Sequence, residues 1–128
     1  MIPLGHIASV DGKVFDFSKP RWLSKAIQET GGLDMNFVLE GTQVVARGGQ
    51  LTLELETDQP CLQLYTGQFL ERFNTPLDGQ SHIPFSGYCL EPQGYPNAVN
   101  TQAFPTTIAT PEHPYRQRLS VTIREDDL

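Results

Sequence analysis

A chain of 128 residues is long enough for one domain with a modest core and too short for two of ordinary size. Nine basic against fifteen acidic side chains give a net charge of −6, and only 19% of residues are charged. That composition excludes a disordered polyelectrolyte and lacks the basic footprint of a nucleic-acid binder, while no apolar run is long enough for a membrane-spanning helix.

The N-terminal stretch Met1-Ile2-Pro3-Leu4-Gly5 is turn-like and lacks the basic start and apolar run of a secretory leader. The two cysteines, Cys61 and Cys89, show no metal-ligand or redox spacing. A cytoplasmic protein with two free thiols is expected, both in apolar strands as small core residues. Ile7 to Val10 predicts a short strand before Asp11-Gly12. Ser18-Lys19-Pro20 then reads as a helix start, with Ser18 as the cap, and Trp22, Leu23, Ala26 and Ile27 fall at helical spacing before Gly31-Gly32 stops the run.

From residue 36 the period changes to two. Phe37 to Leu39 is a compact apolar run, and Thr42 to Arg47 predicts a strand closed by the Gly48-Gly49 turn. Leu51, Leu53 and Leu55 alternate with polar residues, which predicts a strand buried on one face. Cys61 to Thr66 follows the Asp58-Gln59-Pro60 turn, with Leu62 and Leu64 on one face and Gln63 and Tyr65 on the other. Residues 67–85 and 92–105 read as loops around a short strand from Gly87 to Leu90. A last strand is predicted from Tyr115 to Arg124, with a frayed tail from Glu125. Together these elements predict a single all-β domain over residues 1–128, an antiparallel β-sandwich or part of one.

Candidate functional residues are few. Glu91 ends an apolar strand beside Pro92; it is either an exposed strand-end glutamate or a partly desolvated carboxylate ready for acid–base work. Asp34 is either a turn-capping residue or a ligand-binding acid. Gln63 and Tyr65 are either a strand's polar face or a place for a sugar, by amide hydrogen bonds and ring stacking. The acid-rich middle, with two arginines against ten acids over residues 26–115, repels phosphate and suits a neutral, hydroxyl-rich ligand, although it equally makes a soluble surface. His6, His82 and His113 each adjoin Gly, Ser or Pro in loops and have no metal-ligand spacing.

Five ordered blocks add a resemblance. Residues 87–100, Gly-Tyr-Cys-Leu-Glu-Pro-Gln-Gly-Tyr-Pro-Asn-Ala-Val-Asn, resemble a signature of the galactose mutarotase (aldose 1-epimerase) family. Ile2-Pro3-Leu4-Gly5 with Val14-Phe15-Asp16-Phe17, Gly32 to Leu39, Gln63 to Leu70, and Phe104-Pro105 with Pro111-Glu112 and Tyr115 resemble further blocks of the same family in the same order. The resemblance implies the C-terminal portion of a β-supersandwich isomerase that interconverts the α and β anomers of aldohexoses such as galactose and glucose, in hexose metabolism. It implies no metal and no organic cofactor.

The resemblance also implies roles. Glu91 matches the glutamate that removes the anomeric hydroxyl proton, and Asp34 and Gln63 match residues that hold sugar hydroxyls. Met35 stands where the family commonly has a histidine, and Phe85 where a basic residue or histidine is common; both are expected at the pocket edge. The family's proton-donating histidine, a second sugar-binding histidine and a pocket arginine match nothing here. The expected partner is therefore an aldose, with no nucleic acid or membrane, and with a missing N-terminal segment or self-association completing the fold. The alternatives are a non-catalytic carbohydrate-binding module and an inactive truncated fragment.

Overall fold

The computed structural model describes residues 2–71, 77–80 and 82–126. Among them run α1 (Leu23–Thr30), β1 (Asp34–Val38), β2 (Gln43–Gly48), β3 (Leu51–Thr57), β4 (Cys61–Tyr65), β5 (Cys89–Gln93) and β6 (Leu119–Glu125), with a 3-10 turn at Ala98–Asn100. The strands form two three-stranded sheets, ordered β1-β4-β5 and β2-β3-β6. This is the all-β, mainly antiparallel architecture that the strand spacing predicts. The chain divides into two compact units, one of Met1–Gly5, Val38–Leu62 and Pro92–Leu128, the other of His6–Phe37 and Gln63–Glu91.

The second unit is built around α1. Ala26 on the helix, Leu33 before β1 and Leu64 on β4 are buried together, and Leu23, Met35, Phe37 and Leu90 pack against them. Truncating Leu64 to Ala would cost about 2–5 kcal/mol, the range for a buried leucine. The helix ends as expected, with Gly31 in the left-handed region at φ 76° and its N–H bonded to the Ile27 carbonyl. Its start is later than Ser18. The Ser18 hydroxyl and N–H both bond to Asp16 Oδ1, so Ser18 closes a turn and Trp22 occupies the cap position without a side-chain bond. Ile7 to Val10 form no strand.

Two bonds set β1 against β4. The Thr66 N–H donates to the Leu33 carbonyl and the Leu39 N–H to the Pro60 carbonyl, so the strands run antiparallel with Asp34 opposite Tyr65 and Asn36 opposite Gln63. Met35, Phe37, Leu64 and Leu90 face the helix. By alternation, Asp34, Asn36, Gln63, Tyr65, Cys89 and Glu91 face the other way.

In the first unit β3 is central, antiparallel to both neighbours. The register places Val44 and Ala46, Leu53 and Leu55, and Val121 and Ile123 in rows on one face. On the opposite face Arg124 is ion-paired with Glu54. β6 begins at Leu119 rather than Tyr115, because β3 supplies its last partner at Thr57. The tail is tied further than expected: Glu125 lies in β6, the Asp126 N–H donates to the Gln50 carbonyl, and the Thr52 hydroxyl donates to Asp126 Oδ1. The last two residues of the expected frayed tail lie outside the described residues. No described helix is long and apolar enough to cross a membrane.

Candidate active site

The polar face of β1, β4 and β5 brings the three singled-out residues onto one side of one sheet. Asp34 opens β1, Gln63 is the middle residue of β4, and Glu91 is the middle residue of β5. The alternation that buries Leu64 and Leu90 against the helix is what turns Gln63 and Glu91 outward. The Gln63 amide Nε2 donates to Asp34 Oδ1 at 2.6 Å, a diagonal pair across the β1–β4 ladder. That bond joins a carboxylate acceptor to an amide that both donates and accepts, which suits binding of vicinal hydroxyls.

Glu91 is exposed rather than partly desolvated, and it lies inside β5 rather than at a strand end. The strand continues through Pro92, a residue that strands tolerate at the edge of a sheet, and β5 borders the described sheet. Cys61 is fully buried as expected, but Cys89 is exposed, two residues from Glu91 on the same face.

Met35 does not edge this face; it packs against the core on the side of the helix. Phe85 lines a cavity of ≈ 280 Å³ with Leu23, Ile27 and Tyr88, also beside the helix. A second cavity, ≈ 400 Å³, is lined by Ala98, Asn100, Phe104 and Ile108. Neither of these two cavities is lined by Asp34, Gln63 or Glu91. His6 and His113 are exposed in loops, and His82 is half-buried outside the strands. Asn36 was not singled out from the sequence, yet it shares the face; its period-two spacing from Asp34 was the available signal.

Beyond Glu91, the signature block serves architecture. A Cβ on Gly94 would lie 2.7 Å from Thr107 Cγ2, so the Thr107 side chain would have to shift to admit one. Asn97 sits at φ 57° and accepts a bond from the Asn100 amide at 2.6 Å, while the Tyr95 and Phe104 rings meet at 5.0 Å.

The model of the aldose 1-epimerase family matches residues 1–122. The chain belongs to that family. Galactose mutarotase of Bos taurus is 40% identical over 124 residues, covering 90% of this chain and 36% of the relative. The Homo sapiens galactose mutarotase is 38% identical over 125 residues with the same coverage. Aldose 1-epimerase of Haemophilus influenzae is 33% identical over 107 residues, 77% of this chain and 31% of the relative. The solved GalM/aldose epimerase homologue from C. elegans superimposes with a TM-score of 0.77 at 21% identity, over 98% of this chain and 41% of that one. This chain thus spans little more than a third of the length of the curated relatives it matches.

Proposed function

We propose that this aldose 1-epimerase family chain carries the base-bearing part of an anomer-interconverting isomerase. Its substrates are aldohexoses such as galactose or glucose. The observation that carries the reading is the gathering of Asp34, Gln63 and Glu91 on one polar face, in a chain that belongs to the family. Asp34 and Gln63 hold hydroxyls of the sugar. The Glu91 carboxylate takes the proton of the anomeric hydroxyl, the bond from C1 to the ring oxygen breaks as the C1 carbonyl forms, and the ring oxygen receives a proton. Rotation about C1–C2 and the reverse transfers close the ring from the other face.

This chain supports the base half of that cycle better than the acid half. No histidine lies in β1, β4 or β5. The proton for the ring oxygen then comes from water or from a group outside this chain. A positioned acid is worth about 10²–10⁴-fold, so the 128 residues alone are expected to be slower than a complete enzyme by about that factor.

Polarimetry on freshly dissolved α-galactose tests the reading. Addition of the chain should accelerate the drift in rotation, and Glu91→Gln should remove the acceleration without lowering the melting temperature. Equal acceleration by the variant would overturn Glu91 as the base. A second reading, a sugar-binding module without turnover, draws on the same lack of a histidine on the strands. It predicts saturable sugar binding by calorimetry with no change in the rate of mutarotation.

A further inference from the structure

Thr66 follows β4 directly, and its polar side chain is buried. It faces Leu33, the residue before Asp34. The Thr66 N–H donates to the Leu33 carbonyl at 2.9 Å, and the Thr66 hydroxyl oxygen accepts the Leu33 N–H at 2.7 Å. In a regular antiparallel pair that second N–H would return to the opposite carbonyl. Here Gly67, at φ 72°, turns the chain away from the ladder, and the Thr66 side chain takes the bond instead. The same hydroxyl donates to Gln68 Oε1 at 2.9 Å. One buried side-chain oxygen, working as acceptor and as donor, thus closes the end of the β1–β4 ladder.

The residue it holds, Leu33, is buried in the core of its unit. Asp34 is next along the chain, and its Oδ1 accepts the Gln63 amide at 2.6 Å. A group that binds a ligand must be held within about 0.5 Å of its working position. Asp34 is exposed, so packing does not hold its carboxylate. Its place follows from the backbone at Leu33 on one side and from the Gln63 amide on the other.

We propose that Thr66 is a positioning residue of this polar face: its hydroxyl fixes the backbone at Leu33 and, through it, the Asp34 carboxylate against the Gln63 amide. The proposal rests on the sugar-binding reading given above and adds to it a residue that touches no substrate. The role needs a hydroxyl on a short side chain. Serine supplies one. Valine has nearly the same shape without it and leaves the buried Leu33 N–H with no acceptor. That N–H regains a partner only if Leu33 shifts, and Asp34 shifts with it.

The test compares the native chain with Thr66→Val, Thr66→Ser and Thr57→Val. Thr57 is the matched control: it is buried, and its hydroxyl accepts the Gln59 N–H at 3.1 Å, in the unit that does not hold Asp34. Both valine variants should lower the melting temperature. Only Thr66→Val should move the Gln63 side-chain amide signals in a nitrogen–proton correlation spectrum toward those of Asp34→Ala, in which the acceptor is gone. Only Thr66→Val should weaken galactose in calorimetric titration, by about tenfold. Thr66→Ser should restore both readouts. Thr66→Cys, whose thiol is a weaker acceptor, should give the same changes to a smaller extent and serves if valine unfolds the unit. Native Gln63 signals in Thr66→Val and Thr66→Cys, or an equal change in Thr57→Val, would overturn the positioning role. A native chain that binds no galactose would overturn the sugar reading, and the amide signals would then decide alone whether Thr66 places Asp34.

Discussion

Cys61 is buried and Cys89 is exposed, two residues from Glu91 on the same face of β5. The two thiols therefore report on different parts of the molecule. Iodoacetamide should label one cysteine per native chain and two after denaturation, as mass spectrometry would count, because an alkylating agent reaches only an accessible thiol. The adduct on Cys89 should reduce sugar binding and the acceleration of mutarotation several-fold, and Cys89→Ser should remove that sensitivity. Full binding after complete labelling would place the sugar elsewhere than the Glu91 face. The same alternation explains what was legible at this scale. Gln63 and Tyr65 could be assigned a shared face from the sequence, since β4 is a regular period-two strand. Met35 could not be placed by its adjacency to Asp34, because neighbours along a strand point to opposite sides and Met35 packs in the core.

At the scale of elements, turns and strand ends depend on partners that local sequence does not show. Residues that alternate beyond the reach of a partner do not become strand, as the segment before Leu119 shows. Ser18 reads as a helix cap until Asp16 claims its hydroxyl. Gly67 illustrates a constraint imposed from afar: φ is 72°, and a Cβ there would lie 2.5 Å from the Gly87 carbonyl oxygen. Gly12 also has positive φ but nothing within 4 Å. Gly12→Ala should cost about 1 kcal/mol, whereas Gly67→Ala adds a backbone clash and should cost about 2 kcal/mol or more. Paired thermal melts would check the difference, and equal losses would show that the loop yields.

Another turn gives the chain an acid-side weakness. Asp58, between β3 and β4, accepts the Arg118 N–H at 2.9 Å just before β6 and the Gln59 amide at 3.1 Å. The Arg118 bond, followed by the Gln59 bond, holds its carboxyl below the ordinary 3.8. A carboxyl lowered on folding stabilises the native state above its unfolded value and ceases to do so as pH falls through its folded value. Stability from this bond should be full above about pH 4 and fade below it. In Asp58→Ala the acid limb of the stability–pH curve should be shallower than in the native chain. An unchanged limb would show that the carboxylate contributes nothing to anchoring β6.

For the whole molecule the decisive quantity is surface. Part of it is apolar and ordered: Leu119, Val121 and Ile123 share one face of β6 and are 49%, 51% and 62% exposed. Among the described residues β6 is hydrogen-bonded to β3 alone within its sheet, which leaves its outer edge for another strand. An apolar face and a free edge of this kind are where a further strand would pack. Presented with only its own kind, the chain should self-associate through β6. Sedimentation velocity should show mass rising with protein concentration, and the double substitution Val121→Lys with Ile123→Glu should return it toward 14.3 kDa. Those side chains are already half-exposed, so the charges should be tolerated by the fold, which circular dichroism would confirm. A monodisperse native chain of 14.3 kDa at every concentration would mean that the open β6 face is stable in water, and would remove the argument that it awaits a partner.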